Sequence, residues 1–245
     1  MTDLKRYRTA LLPACAALIF CASDAPSQTA RKPIFVLPEQ LDMAAILPTP
    51  PAGDSAQTAA ELAELHRLEK TRSAAEIARA KADDAEEDMF IFKDVLGDKF
   101  QAKFLPLTAI LSAHVHNDES FITNPAKTFF HRPRPYVLDA TLQPVCKIKA
   151  DPGDYSYPSG HSVTGYLESL VTAMMVPEKR DAILARADDY AHNRLVCGMH
   201  YPTDVAASKT VAYAMIGLMM NHLQFRRELE AAKAETRQAL GFTGL

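Results

Sequence analysis

The stretch "YPSGHSVTGYLESLVTAMMV", residues 157–176, joins a turn to an apolar helical pattern. Pro158, Ser159 and Gly160 favour a turn, and the residues that follow repeat apolar positions with the period of a helix. The first amide groups of a helix are unpaired and carry partial positive charge, so they bind anions such as phosphate. This stretch therefore predicts a helix whose entrance, beside His161, can hold a phosphoryl group.

The rest of the 245-residue chain predicts an all-α fold. Runs rich in β-branched residues are scarce, whereas Ala, Leu, Glu, Lys and Arg, which favour helices, are plentiful. Two capping boxes, "TAAE" at 58–61 and "SAAE" at 73–76, predict helix starts. There is no alternation of strands and helices and no internal repeat. We expect helices near 59–71 and 74–86, at 86–97 ending at Gly97, at 105–120, at 124–130 with Pro125 near its start, at 161–175, 178–194 and 203–221, and over the charged C-terminal stretch "RRELEAAKAETRQALG".

The first 25 residues predict a signal peptide. A basic start precedes the apolar run 9–20, and "SDA" at 23–25 fits a small-x-small cleavage site. Lipoprotein processing at Cys21 is the alternative, which the bulky Phe20 before it disfavours. We therefore expect a periplasmic or secreted protein.

The remaining chain predicts one domain. Residues 26–56 are rich in proline and small polar residues, which predicts an extended lead-in that does not pack, and 57–245 form the all-α domain. No further apolar run approaches the length of a membrane span. A net charge of −3 argues against nucleic acid or an anionic membrane surface as a partner. Cys146 and Cys197 either form a disulfide, as an exported protein favours, or are two buried thiols.

Three polar clusters contain the residues that could carry chemistry. "KTFFHRPRP", 127–135, has the cations Lys127, Arg132 and Arg134, and prolines after the two arginines hold the chain there extended. "PSGH", 158–161, is the helix entrance described above. In "NRLVCGMHYPTD", 193–204, Asp204 can reach back to His200, fix its tautomer and leave the other ring nitrogen as base, nucleophile or metal ligand. Alone, each cluster also fits an ordinary structure: a solvated basic turn, a polar helix cap, or a cap beside a surface histidine.

Taken together and in this order, the clusters resemble a known signature. K-x6-R-P fits Lys127 to Pro135, P-S-G-H fits Pro158 to His161, and R-x5-H-x3-D fits Arg194, His200 and Asp204. This is the three-part signature of the acid phosphatase and vanadium haloperoxidase superfamily, and the chain looks like its bacterial class A non-specific acid phosphatases. The third part usually opens with Ser-Arg, whereas here Asn193 precedes the arginine.

The resemblance implies a single compact helical domain of the PAP2/haloperoxidase type that hydrolyses small-molecule phosphomonoesters. Lys127, Arg134, Ser159, Gly160 and Arg194 would bind phosphate. The histidine at 200 would attack phosphorus to form a phosphohistidine, with Asp204 orienting it, and His161 would protonate the leaving alcohol. No metal or other cofactor is expected. A homodimer or larger homo-oligomer is left open.

Other functions fit parts of the same pattern. A vanadium-dependent haloperoxidase would use the same anion cage to hold vanadate, although such enzymes are usually much larger. A membrane lipid phosphatase with these motifs would need membrane-spanning helices. A phosphate-binding protein would explain the cations and leave the pair His200 and Asp204 without a task. His114 and His116, two residues apart, point to different sides of a helix and do not predict a metal site.

Overall fold

The computed structural model describes residues 31–148 and 153–243. Residues 33–245 form one compact unit. No strand occurs within the two described ranges, and the prediction of an all-α fold is confirmed. The helices are α1 (Met43–Ile46), α2 (Ala56–Thr71), α3 (Ala74–Asp84), α4 (Lys93–Leu96), α5 (Pro106–Phe130), α6 (Pro135–Leu138), α7 (Gly160–Met175), α8 (Arg180–Val196), α9 (Pro202–Met219) and α10 (Leu223–Leu240), with 3-10 turns at Pro38–Gln40, Met89–Phe92 and Pro177–Lys179.

Helix α7 is the centre of the fold. It packs against α5, α8, α9 and α10, and nearly every side chain from Ser162 to Thr172 is buried. A helix buried on all sides is expected to be mainly apolar or small around its circumference, as this sequence is apart from Glu168. Gly165 permits the closest approach, because a Cβ there would lie 2.5 Å from Cδ1 of Tyr190 on α8. The phosphate-binding entrance predicted from sequence is therefore the first turn of the central helix.

Two predicted helix starts have different outcomes. The capping box at Ser73 is confirmed: its hydroxyl accepts from the Glu76 amide, and the Glu76 carboxylate accepts from the Ser73 amide. The start predicted at Thr58 is wrong. Ser55 caps α2 instead, three residues earlier, by accepting from the Thr58 amide over 3.1 Å.

The segment 105–130 is one helix, where the sequence predicted two. Pro125 lies inside α5 and was expected near the start of a separate helix. Buried positions continue through the proline with helical spacing, at Ile122, Thr123 and Ala126. Burial of this continuous face outweighs the hydrogen bond that proline cannot donate.

The helix predicted over 86–97 is also wrong in part. A 3-10 turn over Met89–Phe92 is followed by the single helical turn α4. The four side chains of the 3-10 turn are all buried, so this apolar run packs on every side and does not present one helical face. Gly97 ends α4 as predicted, with φ of +90°.

The lead-in of 26–56 packs more closely than predicted. Phe35 and Val36 are buried in the main core. The carboxylate of Asp118 on α5 accepts from the amides of Ile34, Phe35 and Val36 over 2.7, 2.6 and 2.8 Å. Three amide donors on one buried carboxylate fix this segment to α5. Residues 34–36 therefore pack against the core, within a segment that was expected not to pack.

Three further predictions concern the N-terminus, membrane spans and the two cysteines. The signal peptide predicted over residues 1–25 lies outside the described residues. Among the residues that are described, no helix is both long and apolar enough to cross a membrane. Cys146 and Cys197 form a disulfide, which confirms the first of the two alternatives. It ties the loop after α6 to the end of α8.

Candidate active site

The three sequence clusters meet around one cavity of about 100 Å³. Lys127 comes from the last turn of α5, Arg134 from the loop after it, and His161 from the first turn of α7. Arg194 comes from the last turn of α8, and His200 from the loop between α8 and α9. The cavity is lined by these five predicted residues and by Asp84, Glu87, Lys147, Asp154 and Met199.

Ser159 and Gly160 lie at the entrance of α7, next to this cavity. Ser159 is the N-cap: its hydroxyl oxygen accepts from the amide of Ser162 over 3.3 Å and from the hydroxyl of Ser162 over 2.9 Å. The hydroxyl proton of Ser159 therefore remains available to donate a hydrogen bond. A Cβ at Gly160 would lie 3.1 Å from Oε1 of Glu119 and 3.6 Å from Nζ of Lys127. Gly160 therefore leaves space directly beside the cationic side chain of Lys127.

His200 lies against Asp204, as the spacing of the third motif predicted. Nδ1 of His200 is 3.4 Å from Oδ2 of Asp204, and both side chains are almost completely buried. Asp204 also accepts from the Tyr201 amide over 2.9 Å, because it lies in the first turn of α9. With Nδ1 towards the carboxylate, Nε2 is the nitrogen that remains for chemistry.

Arg132 binds this carboxylate and is not among the residues that line the cavity. Its guanidinium donates to Oδ1 of Asp204 over 2.6 Å and to Oε2 of Glu61 on α2 over 2.6 Å. The same group stacks on the ring of Tyr201, 3.8 Å from the centroid. Among the three cations of the first cluster, Arg132 is therefore the one that binds the carboxylate next to His200.

Arg134 contacts the reactive side of His200. Nη1 lies 2.6 Å from Nε2 of His200 and 3.0 Å from the Met199 carbonyl oxygen. Nη2 and Nε bind Asp154, through its carboxylate over 2.5 Å and its carbonyl over 3.2 Å. Oδ2 of Asp154 is buried without a hydrogen-bond partner among the described residues. The arginine is thus positioned between the histidine and a carboxylate that a phosphate oxygen can replace.

Arg194 is bound in a similar way on the opposite wall. Nη1 donates to Oδ1 of Asp84 over 2.5 Å, and Nε is buried with no hydrogen-bond partner in the described part of the chain. The neighbouring Asn193, which replaces the usual serine, donates to Oδ2 of Asp83 over 2.7 Å. Asp83 also binds Arg186, so this end of α8 is anchored to α3. The unpaired, buried guanidinium nitrogen is a donor that an anion would satisfy.

His161 faces an acidic edge of the cavity. Its Nε2 lies 3.2 Å from Oε1 of Glu87, 3.3 Å from the Asp84 carbonyl oxygen and 3.8 Å from Oδ1 of Asp84. The side chain is 14% exposed, whereas that of Glu87 is 36% exposed. His161 therefore lies between the buried cations of the site and a carboxylate in contact with solvent.

Both histidines favour the neutral form. Burial lowers the pKa of His200 well below its usual value, and Arg134, Arg194 and Lys127 lower it further. Burial also lowers the pKa of His161, together with Arg194, and the hydrogen bond to the Asp84 backbone opposes this. Burial raises the pKa of Asp204, against the lowering effect of Arg132. A neutral His200 with an available lone pair at acidic pH suits a nucleophile.

Within the part of the chain that the structure describes, the residues that approach a metal-binding arrangement are Asp84, Cys146 and Cys197. Their potential ligand atoms lie within 4.8 Å of one another. The two sulfur atoms are joined in the disulfide and offer no thiolate. His114, one of the pair considered in the sequence, instead contacts Oε2 of Glu228 over 2.8 Å.

The acidic residues of the cavity lie outside the three sequence motifs. Asp84 is the last residue of α3 and Glu87 follows three positions later, both within the run "DDAEED". Carboxylates are unfavourable at this end of a helix, where the dipole is negative. An acidic run in such a place indicates cationic partners elsewhere in the fold, and that signal was available in the sequence. Asp154 lies in a loop and gave no comparable signal.

Comparison with known proteins assigns the family. Residues 106–228 match the model of the PAP2 superfamily, and this range contains every residue of the three motifs. The chain is 36% identical over 117 residues to an acid phosphatase of Zymomonas mobilis, covering 46% of this chain and 44% of that protein. It is 28% identical over 204 residues to a non-specific acid phosphatase of Providencia stuartii, covering 80% and 82%.

A non-specific acid phosphatase of Salmonella typhi is 29% identical over 148 residues, covering 59% of each chain. The matches thus span between under half and about four fifths of these relatives. The matched family range runs from the start of α5 into α10 and contains eight of the ten residues that line the cavity. The chain is therefore a member of the PAP2 superfamily.

Proposed function

We propose that this protein is an exported acid phosphatase that hydrolyses small phosphate monoesters through a phosphohistidine at His200. One observation carries the proposal. His200, with Asp204 behind its Nδ1, shares a small cavity with His161 and with the cations Lys127, Arg134 and Arg194. The names of the relatives agree with it. Phosphoryl transfer needs mainly positioning and charge stabilisation, which these residues can supply.

The reaction proceeds in two steps. The Nε2 lone pair of His200 attacks phosphorus as the bond to the leaving oxygen breaks, and that oxygen takes a proton from His161. In the second step His161 accepts a proton from water, the water oxygen attacks phosphorus, and the P–N bond breaks to restore Nε2. Asp204 stabilises the imidazolium formed on His200. A neutral His200 and a protonated His161 are needed together, which favours acidic pH.

Substrate binding exchanges hydrogen bonds that the arginines make in the structure. Arg134 binds Asp154 and His200, and Arg194 binds Asp84. A phosphate group offers the same charge and several oxygen acceptors, so it can replace both carboxylates on the guanidinium groups. Moving Arg134 onto a phosphate oxygen also releases the Nε2 lone pair of His200 for attack.

The size of the cavity supports a broad range of substrates. Its volume of about 100 Å³ is well below the roughly 300–1,000 Å³ of sites that enclose an organic ligand. A phosphoryl group fits this scale, while the alcohol part of a larger ester lies at or beyond the rim. The buried residues then recognise the phosphate group and discriminate much less between leaving groups. The oligomeric state remains a prediction from the resemblance.

Export rests on two features. The basic and apolar N-terminus has the pattern of a signal peptide, and the Cys146–Cys197 disulfide is typical of oxidising compartments. Expression of the full chain in a bacterial host, followed by cell fractionation and N-terminal sequencing, tests this. We expect a periplasmic or extracellular protein that begins after Ala25. An unprocessed cytoplasmic product contradicts export.

Hydrolysis of p-nitrophenyl phosphate at acidic pH in excess EDTA tests the activity. We expect turnover that vanadate inhibits, and a loss of roughly 10³-fold or more in kcat for His200→Ala. His192→Ala, an exposed histidine on the same α8 that carries Arg194, is the matched control. Phosphate binding without turnover in the wild-type protein would support a binding protein. Bromide oxidation with vanadate and peroxide, without ester hydrolysis, would support the haloperoxidase.

A further inference from the structure

Glu87 lies outside the residues that match the family model and outside the three motifs, yet it contacts His161 directly. We propose that Glu87 is a positioning residue, whose carboxylate orients the His161 imidazole and favours its protonated, proton-donating form. The proposal rests on the proposed function, in which His161 protonates the leaving oxygen. Under this proposal, the Glu87 carboxylate sets the upper pH limit of the reaction.

The turn that carries Glu87 is held on both sides. The carbonyl oxygen of Glu86 accepts from the hydroxyl of the buried Tyr190 over 2.7 Å. On the other side Asp88 caps the 3-10 turn, and the Met89 amide donates to the hydroxyl of Ser112 over 2.9 Å. Both neighbours of Glu87 are thus fixed to the core. The backbone of Glu87 is therefore held in place, which keeps its carboxylate near the imidazole of His161.

The charges around His161 explain why a carboxylate is needed there. Burial, Arg194, His200 and Lys127 all lower the pKa of His161. Oε1 of Glu87 is 3.2 Å from Nε2, whereas the nearest carboxylate oxygen of Asp84 is 3.8 Å away and already accepts from Arg194. The charged groups facing His161 across the cavity are Asp84 from α3, Glu87 from the following turn, Lys127 from α5, Arg134, Lys147 and Asp154 from the loops after α5 and α6, Arg194 from α8 and His200 from the loop before α9.

Glu87 is the most exposed carboxylate of this set. Its side chain is 36% exposed, whereas Asp84 and His161 are 15% and 14% exposed. When the leaving oxygen takes the proton of His161 and water later returns one, the charge of the imidazole changes twice in each turnover. A nearby carboxylate stabilises the charged form in each cycle.

The test compares pH profiles of kcat/KM for the wild type, Glu87→Gln and Glu86→Gln. Glutamine keeps the size of the side chain and removes its charge. We expect the alkaline limb of Glu87→Gln to move about 0.5–1 unit to lower pH, since a lost neighbouring charge destabilises the imidazolium. Glu86→Gln removes the same charge one residue away, where the side chain lines a different cavity, and should leave the limb in place. Coincident limbs for all three proteins would overturn the proposal.

Leaving-group dependence gives a second reading that a structural defect does not produce. Above the alkaline limb, glycerol phosphate, whose alcohol needs a proton, should lose several-fold more activity in Glu87→Gln than p-nitrophenyl phosphate does. Glu87→Asp, which keeps the charge, should recover part of the loss. Equal losses for both substrates would overturn the proposal.

A third measurement separates this inference from the proposed function. Nuclear magnetic resonance titration of labelled histidines, with His161→Ala to assign the signal, reports the pKa of His161 whether or not the protein turns over substrate. A fall in Glu87→Gln, and none in Glu86→Gln, supports the role of Glu87. An unchanged value overturns it. A wild-type protein without phosphatase activity would overturn the proposed function alone, and the titration would still decide on Glu87.

Discussion

Arg132 donates through Nη1 to Oδ1 of Asp204 over 2.6 Å, and both side chains are almost completely buried. The same guanidinium binds Glu61 on α2. One cation therefore pairs with two buried carboxylates, one of which lies against His200. This links the stability of the fold to the geometry of the proposed nucleophile.

Replacing Arg132 by alanine should destabilise the protein strongly. It leaves Asp204 and Glu61 as buried charges without a cationic partner, a loss of about 3–5 kcal/mol in the free energy of unfolding. Urea denaturation measures this. Arg67→Ala, which removes an exposed arginine paired with Glu64, is the control and should change stability far less. Equal midpoints for both variants would show that the buried network contributes nothing.

Gly160→Ala should reduce affinity for phosphate while the protein stays folded. The added Cβ would lie 3.1 Å from Oε1 of Glu119 and 3.6 Å from Nζ of Lys127, in the space beside the cation. We expect the inhibition constant of phosphate to rise about tenfold, or about 1.4 kcal/mol of binding free energy. Gly217→Ala is the control, since no atom lies within 4 Å of a Cβ there. Unchanged inhibition by phosphate in Gly160→Ala would place the anion elsewhere.

Glu168 makes stability depend on pH. It is buried in the central helix and accepts from the Ser112 hydroxyl over 2.9 Å. Burial raises its pKa well above the ordinary 4.5. The folded protein then keeps a proton that the unfolded chain loses. The stabilisation that comes from this proton is complete below pH 4.5 and is lost as the pH rises towards the pKa of Glu168 in the folded protein.

Glu168→Gln removes this titration. Compared with the wild type, its free energy of unfolding should be similar near pH 4 and should become relatively greater up to neutral pH, by at most about 1.4 kcal/mol per pH unit. Chemical denaturation across pH 4–8 measures the difference. The exposed Glu230→Gln should show no such trend. A difference that is constant with pH would contradict a protonated Glu168.

Loss of the disulfide should weaken the site as well as the fold. Cys146 and Cys197 are 51 residues apart in sequence and join the loop bearing Lys147 to the segment between Arg194 and His200. The double variant Cys146→Ser with Cys197→Ser should lose about 2–4 kcal/mol of stability. It should also lose kcat/KM for p-nitrophenyl phosphate. Wild-type protein treated with a reductant and thiol-blocked should match it, and full activity in both would show that the link does not shape the cavity.

The helices could be predicted from sequence wherever the apolar period was continuous and a cap was present. Helix α7 begins within one residue of its prediction and ends where predicted, and α3 begins at the predicted capping box. The errors arise where burial overrides local preference. Pro125 is tolerated because α5 buries a face on both sides of it, and the apolar run over 89–92 forms a 3-10 turn because all of its side chains are buried.

Contacts within the site could be predicted from sequence where both residues belong to one motif. His200 and Asp204 are four positions apart, so their contact follows from the start of α9. The carboxylates facing the cations were not predictable in this way. Asp84 and Glu87 reach the cavity only because α3 packs beside α8, which places them next to Arg194 and His161, more than 70 residues away in sequence. The acidic run at 83–88 indicates that cationic partners exist, but tertiary packing decides which cations they are.

The central claim, a phosphohistidine at His200, is tested most directly by trapping it. The wild-type protein is mixed rapidly with p-nitrophenyl phosphate and quenched in alkali, where phosphohistidine is stable, and its peptides are examined by mass spectrometry. The account predicts one added phosphoryl group on the peptide that contains His200, present during turnover and missing from His200→Ala. Turnover without any phosphorylated histidine, or with the group on another residue, would contradict it.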